Sequence, residues 1–305
     1  MTDVTGARLA KLERLTTLDL GNTGITDQTA RVLGALVSLE QLALERTALD
    51  DEGVAALQPL RGLRTLDLEG TRVSAASLPL LAKFTRLTSL DLGGTQLADA
   101  QLGTLAPLGA LTTLRLGGSG LPAAEVRALP HVRGLELLDL SALAVGDAEA
   151  HWLAAHAPGL QLLKLNFTTL GDAGLAALTG LPELRRLDLG KTRITDAGLR
   201  ALAGARSLGS LDLGLCAVTN EGVRALSSLP LESLFLAGTS IDDRAVASFP
   251  ASLRSLGLMK TKLTRAAMPA LAQLPLLRAI DLRELSLGEA DVAPLVARQV
   301  QVRLH

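Results

Sequence analysis

Aromatic residues make up only 2% of this 305-residue chain: it has no tyrosine, one tryptophan and four phenylalanines. That scarcity excludes a core built from unique aromatic clusters and leaves almost no surface on which nucleic-acid bases could stack. A single cysteine excludes a disulfide framework and favours a reducing compartment over secretion. No segment approaches the roughly 18 consecutive apolar residues of a membrane span, and the opening MTDVTGARLAKLERL has no apolar signal core. The expectation is a cytoplasmic protein with no membrane partner. A net charge of −1 also lacks the basic excess of a nucleic-acid binder, so no nucleic-acid partner is expected.

What the chain does have is leucine at a fixed period. The segment LRRLDLGKTRITDAGLRALAGARS, beginning at Leu184, recurs about every 24 residues, with first leucines at Leu15, Leu39, Leu63, Leu87, Leu111, Leu135, Leu160, Leu184, Leu208, Leu231, Leu253 and Leu277. Each of these twelve repeats opens LxxLxL, whose last three positions alternate as in a strand with one buried face. A small polar residue follows, usually Thr (Thr23, Thr47, Thr71, Thr95, Thr192, Thr239, Thr261), with an aliphatic anchor two places on. Pairs such as Thr26-Asp27 and Thr195-Asp196 then offer side-chain oxygens to free amides at a helix start. Each repeat therefore reads as strand, turn, short helix and return. No single repeat can bury its leucines alone, so stability must come from stacking neighbours.

The motif LxxLxLxxTxITDxGLxxL resembles the leucine-rich repeat family over essentially the whole chain, and is most like bacterial relatives of its ribonuclease-inhibitor and F-box-associated classes. The resemblance implies an α/β, right-handed solenoid arc with a parallel sheet on the concave face and short helices on the convex face, used to bind other proteins. Thr stands where many members have Asn or Cys, and only Cys216 keeps the sulfur. The chain is read as one repeat domain over 1–305, with a helical cap over 1–14, repeats over 15–299 and a closing strand over 300–305. Arg outnumbering Lys, with frequent Ala and Gly, suits a GC-rich bacterial genome. The repeats of 23 and 22 residues around Pro230 and Pro250 predict extended convex returns. Repeat six, Leu135 to Gly159, is the most irregular and holds the only Trp.

Partner recognition is expected at strand positions pointing away from the core. Neighbouring strands lie about 4.8 Å apart, so twelve make a surface roughly 55 Å long. The position between the second and third leucines is mostly Asp (Asp19, Asp67, Asp91, Asp139, Asp188, Asp212, Asp281), interrupted by Ala43, Arg115, Lys164, Phe235 and Gly257. A cation site there is outweighed by a solvated ladder in which Arg115, Asp139 and Lys164 neutralise one another. More informative are bulky apolar residues in otherwise small or polar columns: Leu137, Leu162, Phe167, Leu215, Phe235 and Met259. Together with Arg186 and Asp188 they form a candidate partner surface, although Phe167 and Leu215 could instead fold over into local core.

Charge adds an edge. Residues 15–159 carry 10 Lys and Arg against 16 Asp and Glu, whereas 160–305 carry 17 against 13. Lys191 with Arg193, and Lys260 with Lys262, occupy equivalent loop positions, so an acidic partner surface would be drawn to that side. Catalytic signals fail by comparison. Gly117-Gly118-Ser119-Gly120 lacks the Gly-Lys-Ser/Thr of a phosphate loop; His131, His151, His156 and His305 have no ligand spacing; Cys216 sits in the Thr column as a small filler. Trp152 and His156 are expected to cover the odd convex turn. No cofactor, metal or enzymatic activity is expected. The reading is a monomeric protein-interaction scaffold with one protein partner on its concave face and C-terminal basic edge. The alternative is a regulatory or substrate-recognition subunit, such as a GTPase regulator, ubiquitin-ligase adaptor or host-directed effector.

Overall fold

A computed structural model describes residues 2–3 and 7–304. The chain divides into two compact units, Met1–Ala144 and Val145–His305, and the boundary falls inside the irregular sixth repeat. The N-terminal unit holds six strands in chain order: β1 (Thr17–Asp19), β2 (Gln41–Ala43), β3 (Thr65–Asp67), β4 (Ser89–Asp91), β5 (Thr113–Arg115) and β6 (Leu137–Asp139). The C-terminal unit holds seven: β7 (Leu162–Lys164), β8 (Arg186–Asp188), β9 (Ser210–Asp212), β10 (Ser233–Phe235), β11 (Ser255–Gly257), β12 (Ala279–Asp281) and β13 (Gln301–Arg303). Pairing within each unit is parallel and in register, one repeat on, as in Thr65↔Ser89 and Asp188↔Asp212. The α/β repeat architecture is therefore as the sequence implied.

The periodic leucines make the core. Leu66, Leu68, Leu90, Leu92, Leu187, Leu189, Leu211 and Leu213 are all at most 1% exposed. Each Thr of the turn column is tied down by its hydroxyl, which donates to the carbonyl three residues back. Thr47 to Leu44, Thr71 to Leu68 and Thr239 to Leu236 are 2.7–2.8 Å long. Cys216 stands in the same column, but its thiol donates to the Leu189 carbonyl of the preceding repeat at 3.2 Å instead of to the carbonyl three residues back, and burial pushes its pKa up. Such a thiol is a poor nucleophile.

The Thr-Asp pairs divide their labour in a way sequence spacing alone did not disclose. Thr195 caps its own helix, Asp196–Ala201, by accepting from the Ala197 amide. Asp196 instead reaches the next repeat, accepting from the Thr219 amide at 2.8 Å and hydroxyl at 2.6 Å. Asp172 to Thr195 and Asp243 to Thr264 repeat this bridge. It also explains the glycine of the TDxG motif: a Cβ at Gly198 would stand 2.3 Å from the Asp172 Oδ1, and one at Gly222, its equivalent in the next repeat, 2.3 Å from the Asp196 Oδ1. The glycine makes room for the previous repeat's carboxylate.

Convex helices vary from repeat to repeat. The longest, Asp147–His156, belongs to repeat six, where Trp152 and His156 stack with ring centroids 4.7 Å apart. Repeats nine and ten keep helical turns, α over Asn220–Ala225 and 3-10 over Asp243–Ser248, so their shortening falls in the segments after these turns. At the ends, a 3-10 helix over Ala7–Lys11 and strand β13 occupy the positions read as caps.

Candidate functional site

The third leucine of each repeat is followed by one position, glycine in five repeats, and then by a residue in the left-handed conformation. In the C-terminal unit the left-handed positions are Phe167, Lys191, Leu215, Gly238, Lys260 and Glu284, all with φ between 55° and 67°. Their amides continue the interstrand ladder past the strands: Phe167 donates to the Gly190 carbonyl at 2.8 Å, Lys191 to Gly214 at 2.6 Å, Leu215 to Ala237 at 2.7 Å and Lys260 to Arg283 at 3.0 Å. A left-handed L-residue costs about 1 kcal/mol, and this ladder is what holds it. Phe167 and Leu215, 57% and 55% exposed, are thus presented on a rigid rim rather than folded into local core.

Below the rim, two glycines let apolar side chains lie flat. Leu215 covers Gly238, where a Cβ would meet the leucine Cδ2 at 2.5 Å. Phe235 lies over Gly257, where a Cβ would come within 2.7 Å of the ring. Gly257 interrupts the Asp column because the neighbouring ring occupies that space. The result is a groove of about 360 Å3, lined across six repeats by Asn166, Phe167, Lys191, Asp212, Leu215, Phe235, Gly238, Gly257, Met259, Lys260, Asp281 and Arg283 among others. A second hollow of about 220 Å3 adjoins it at Phe235 and extends over β11, β12 and β13 to Gln301 and Arg303.

The structure brings together six of the residues singled out from sequence: Phe167, Lys191, Leu215, Phe235, Met259 and Lys260. Leu162 and Lys164 sit half-buried on β7, while on β8 Arg186 is exposed and Asp188 buried; all four lie outside the groove lining. Arg193 and Lys262 are exposed two residues beyond the rim. Leu137 and Asp139 belong to β6 of the N-terminal unit. Sequence reasoning passed over Asn166 and Arg283. Both stand in the column just after the third leucine, which is Gly at Gly21, Gly93, Gly117, Gly190 and Gly214, and reading that column would have found them.

Charges in the groove differ in how far they are engaged. The Arg283 guanidinium grips Asp281 with three hydrogen bonds, Nε to Oδ1 at 3.0 Å and to Oδ2 at 3.1 Å and Nη2 to Oδ2 at 2.7 Å, and holds that carboxyl below the usual carboxylate range. Asp212 accepts from the Gly214 amide at 2.8 Å, while burial, followed by the nearby Asp188, pushes its pKa up. The same turn-capping bond recurs at Asp19, Asp67, Asp91 and Asp139, so the Asp column serves the local turn. Lys191 places its Nζ 5.1 Å from the centroid of the Phe167 ring, a cation–π distance. Among the described residues no cluster of three or more His, Cys, Asp or Glu side chains could hold a metal.

The remaining chemical candidates are engaged structurally. Ser119 donates to the Leu116 carbonyl and the Gly118 amide to Ser141, so the glycine-rich loop spends its groups on the repeat ladder. His131, His151 and His156 each contact a backbone carbonyl, of Ala106, Asp147 and Trp152; His305 lies outside the described residues. Among the described residues no helix is long and apolar enough to cross a membrane.

A family model described as "Leucine-rich repeat region" matches residues 6–206, and one described as "Leucine Rich repeat" matches 204–227. A search of curated proteins gave no match. Among solved structures, the chain is similar to an internalin (inlF) from Listeria monocytogenes at 24% identity, covering 96% of this chain and 81% of that one, TM-score 0.65. It is similar to the leucine-rich repeat ectodomain of GASSHO1/SCHENGEN3 from Arabidopsis thaliana, in complex with CASPARIAN STRIP INTEGRITY FACTOR 2, at 20% identity over 90% of this chain and 36% of that one, TM-score 0.55. A third likeness is to TLR13 in its ssRNA13 complex, at 22% identity over 90% and 44%, TM-score 0.56. This chain spans less than half the length of the latter two, and identities this low show the fold alone.

Proposed function

From a chain that belongs to the leucine-rich repeat proteins, a family whose fold generally serves as a protein-interaction scaffold, we propose a non-enzymatic scaffold that binds one protein partner. The site is the concave face of the C-terminal unit with its basic edge. The observation that carries this is the groove itself: exposed Phe167 and Leu215 on a rigid rim, with Phe235 and Met259 beneath and Lys191 and Lys260 beside them. Exposed apolar groups set among charges are the usual make-up of an interface core and rim, and a few such anchors carry most binding energy. The fold alone does not choose the ligand class, since structures of this fold are solved with a peptide hormone receptor's ligand and with ssRNA. Near-neutral charge and 2% aromatics favour protein over nucleic acid here. The single cysteine supports a cytoplasmic setting.

The test is affinity capture from lysate of the source organism, comparing the wild type with Phe235→Ser and with Leu276→Ser, an exposed leucine outside the groove. A protein captured by the wild type and Leu276→Ser but lost with Phe235→Ser is the expected result. Capture indifferent to Phe235 would overturn the site.

A further inference from the structure

Given that the groove is the partner-binding site, its length, its apolar seat and the state of its charges select the kind of segment that fits. We propose that the groove binds a single extended, acidic peptide segment of the partner, seating a bulky apolar side chain against Leu215, Phe235 and Met259 and its carboxylates at Lys191 and Lys260.

Length comes first. The lining runs from Asn166 and Phe167 to Asp281 and Arg283, across strands paired in succession from β7 to β12. Five strand spacings of about 4.8 Å make about 24 Å, which roughly seven extended residues would cover. Over that length the groove offers a volume of about 360 Å3.

The apolar seat is built rather than incidental. Leu215 and Phe235 lie over Gly238 and Gly257, the two places where a Cβ would push them away. Leu215 also holds a left-handed conformation (φ 61°) in a column where Gly238 shows that glycine serves. Backbone strain accepted to expose a leucine in a channel is a functional signature.

Charge selects the occupant's sign. The groove's carboxylates are engaged: Asp281 by Arg283, and Asp212 by the Gly214 amide. Its lysines are available. Lys191 leans over the Phe167 ring and forms no ion pair among the described residues. Lys260 reaches only Glu284 at 3.9 Å, with both side chains more than half exposed. Such an exposed pair contributes little to stability and is readily exchanged for a better-placed carboxylate. Arg193 and Lys262, exposed beyond the rim, add positive potential on the same side. A basic segment would meet the like charges of Lys191 and Lys260, and a polar acidic one would leave the apolar seat empty.

The experiment is selection of a random displayed peptide library against the full chain at low salt, followed by fluorescence anisotropy of the enriched peptides. Enrichment should pair Asp or Glu with Leu, Phe or Met. Binding should weaken about tenfold or more in Leu215→Ser and in the double variant Lys191→Glu/Lys260→Glu, and should fall as salt rises. Thermal melts of each variant confirm folding. Enriched peptides that are basic or lack apolar residues, binding insensitive to the lysine reversals, or no enrichment at all would each overturn the proposal. Capture of a protein that depends on Phe235 while no peptide is enriched would leave the broader binding site standing and sink only the extended acidic segment.

Discussion

The two units use one backbone for different ends. In both, the repeats turn through a left-handed residue, and from Asn22 to Gly118 and from Phe167 to Lys260 its amide is held by the next repeat's carbonyl. In the N-terminal unit that position is Asn22, Arg46, Gly70, Gly94, Gly118 and Ala142; in the C-terminal unit it is Phe167, Lys191, Leu215, Gly238, Lys260 and Glu284. The first set is mostly small or polar, and three of its six members are glycines that the conformation suits. The second carries large apolar and cationic side chains at a cost of about 1 kcal/mol for each left-handed L-residue. The difference teaches that the ladder tolerates expensive residues, and that the C-terminal unit spends this tolerance on display.

The comparison can be broken where the ladders are strongest. Gly222→Ala would drive a methyl group into Asp196 and its bonds to Thr219. We expect a loss of about 2 kcal/mol in urea unfolding. In an Asp196→Ala background the same change should cost less, because the nearest obstacle is gone and only the flexible end of Leu199, 2.9 Å away, remains; equal costs in both backgrounds would refute the shared bridge.

A second test belongs to the N-terminal unit alone. Asp91 is 8% exposed, and burial, aggravated by Asp67 and Glu69, pushes its pKa up to about 6 despite the Gly93 amide and Arg115. Its folded-state pKa lies above the unfolded value of about 3.9, so folding takes up a proton between those pH values. Stability from this group therefore rises as pH falls from about 6 toward 4, and is lowest above 6. Asp91→Asn keeps an oxygen for the Gly93 amide, and should stabilise the protein at pH 7 by on the order of 1–2 kcal/mol, discounted for partial solvent access. That advantage should vanish near pH 4, as melting temperatures measured across pH would show.

The rim itself can be exchanged between units, with smaller effects. Gly94→Leu, at φ 63° with its nearest obstruction 3.5 Å away, should cost about 1 kcal/mol from conformation alone. The reciprocal Leu215→Gly should raise stability by about 0.5 kcal/mol while lowering partner capture, opposite signs for folding and function. A destabilised Leu215→Gly would mean that its packing on Gly238 outweighs its strain.

Much of the architecture was legible from the leucine period, because each repeat encodes the same local structure and nearest-neighbour stacking follows from the need to bury one aliphatic face. Four groove residues, Phe167, Leu215, Phe235 and Met259, were legible as departures from consensus columns, and Lys191 and Lys260 as cations at equivalent loop positions. Asn166 and Arg283 were not, because a polar residue after the third leucine carries no apolar signal. Asp196 was misjudged for a different reason: its partner, Thr219, lies 23 residues on, and helix-start chemistry pointed to its own turn.

The sequence by itself determined the repeat length, the strand and core positions and the absence of a disulfide framework, since these depend on periodicity and composition. Only the tertiary structure decided which side chains share a groove, which carboxylates are already engaged and why Gly222, Gly238 and Gly257 must be small. Those outcomes depend on groups about one repeat apart in the chain, and stacking alone brings them within bonding or van der Waals reach.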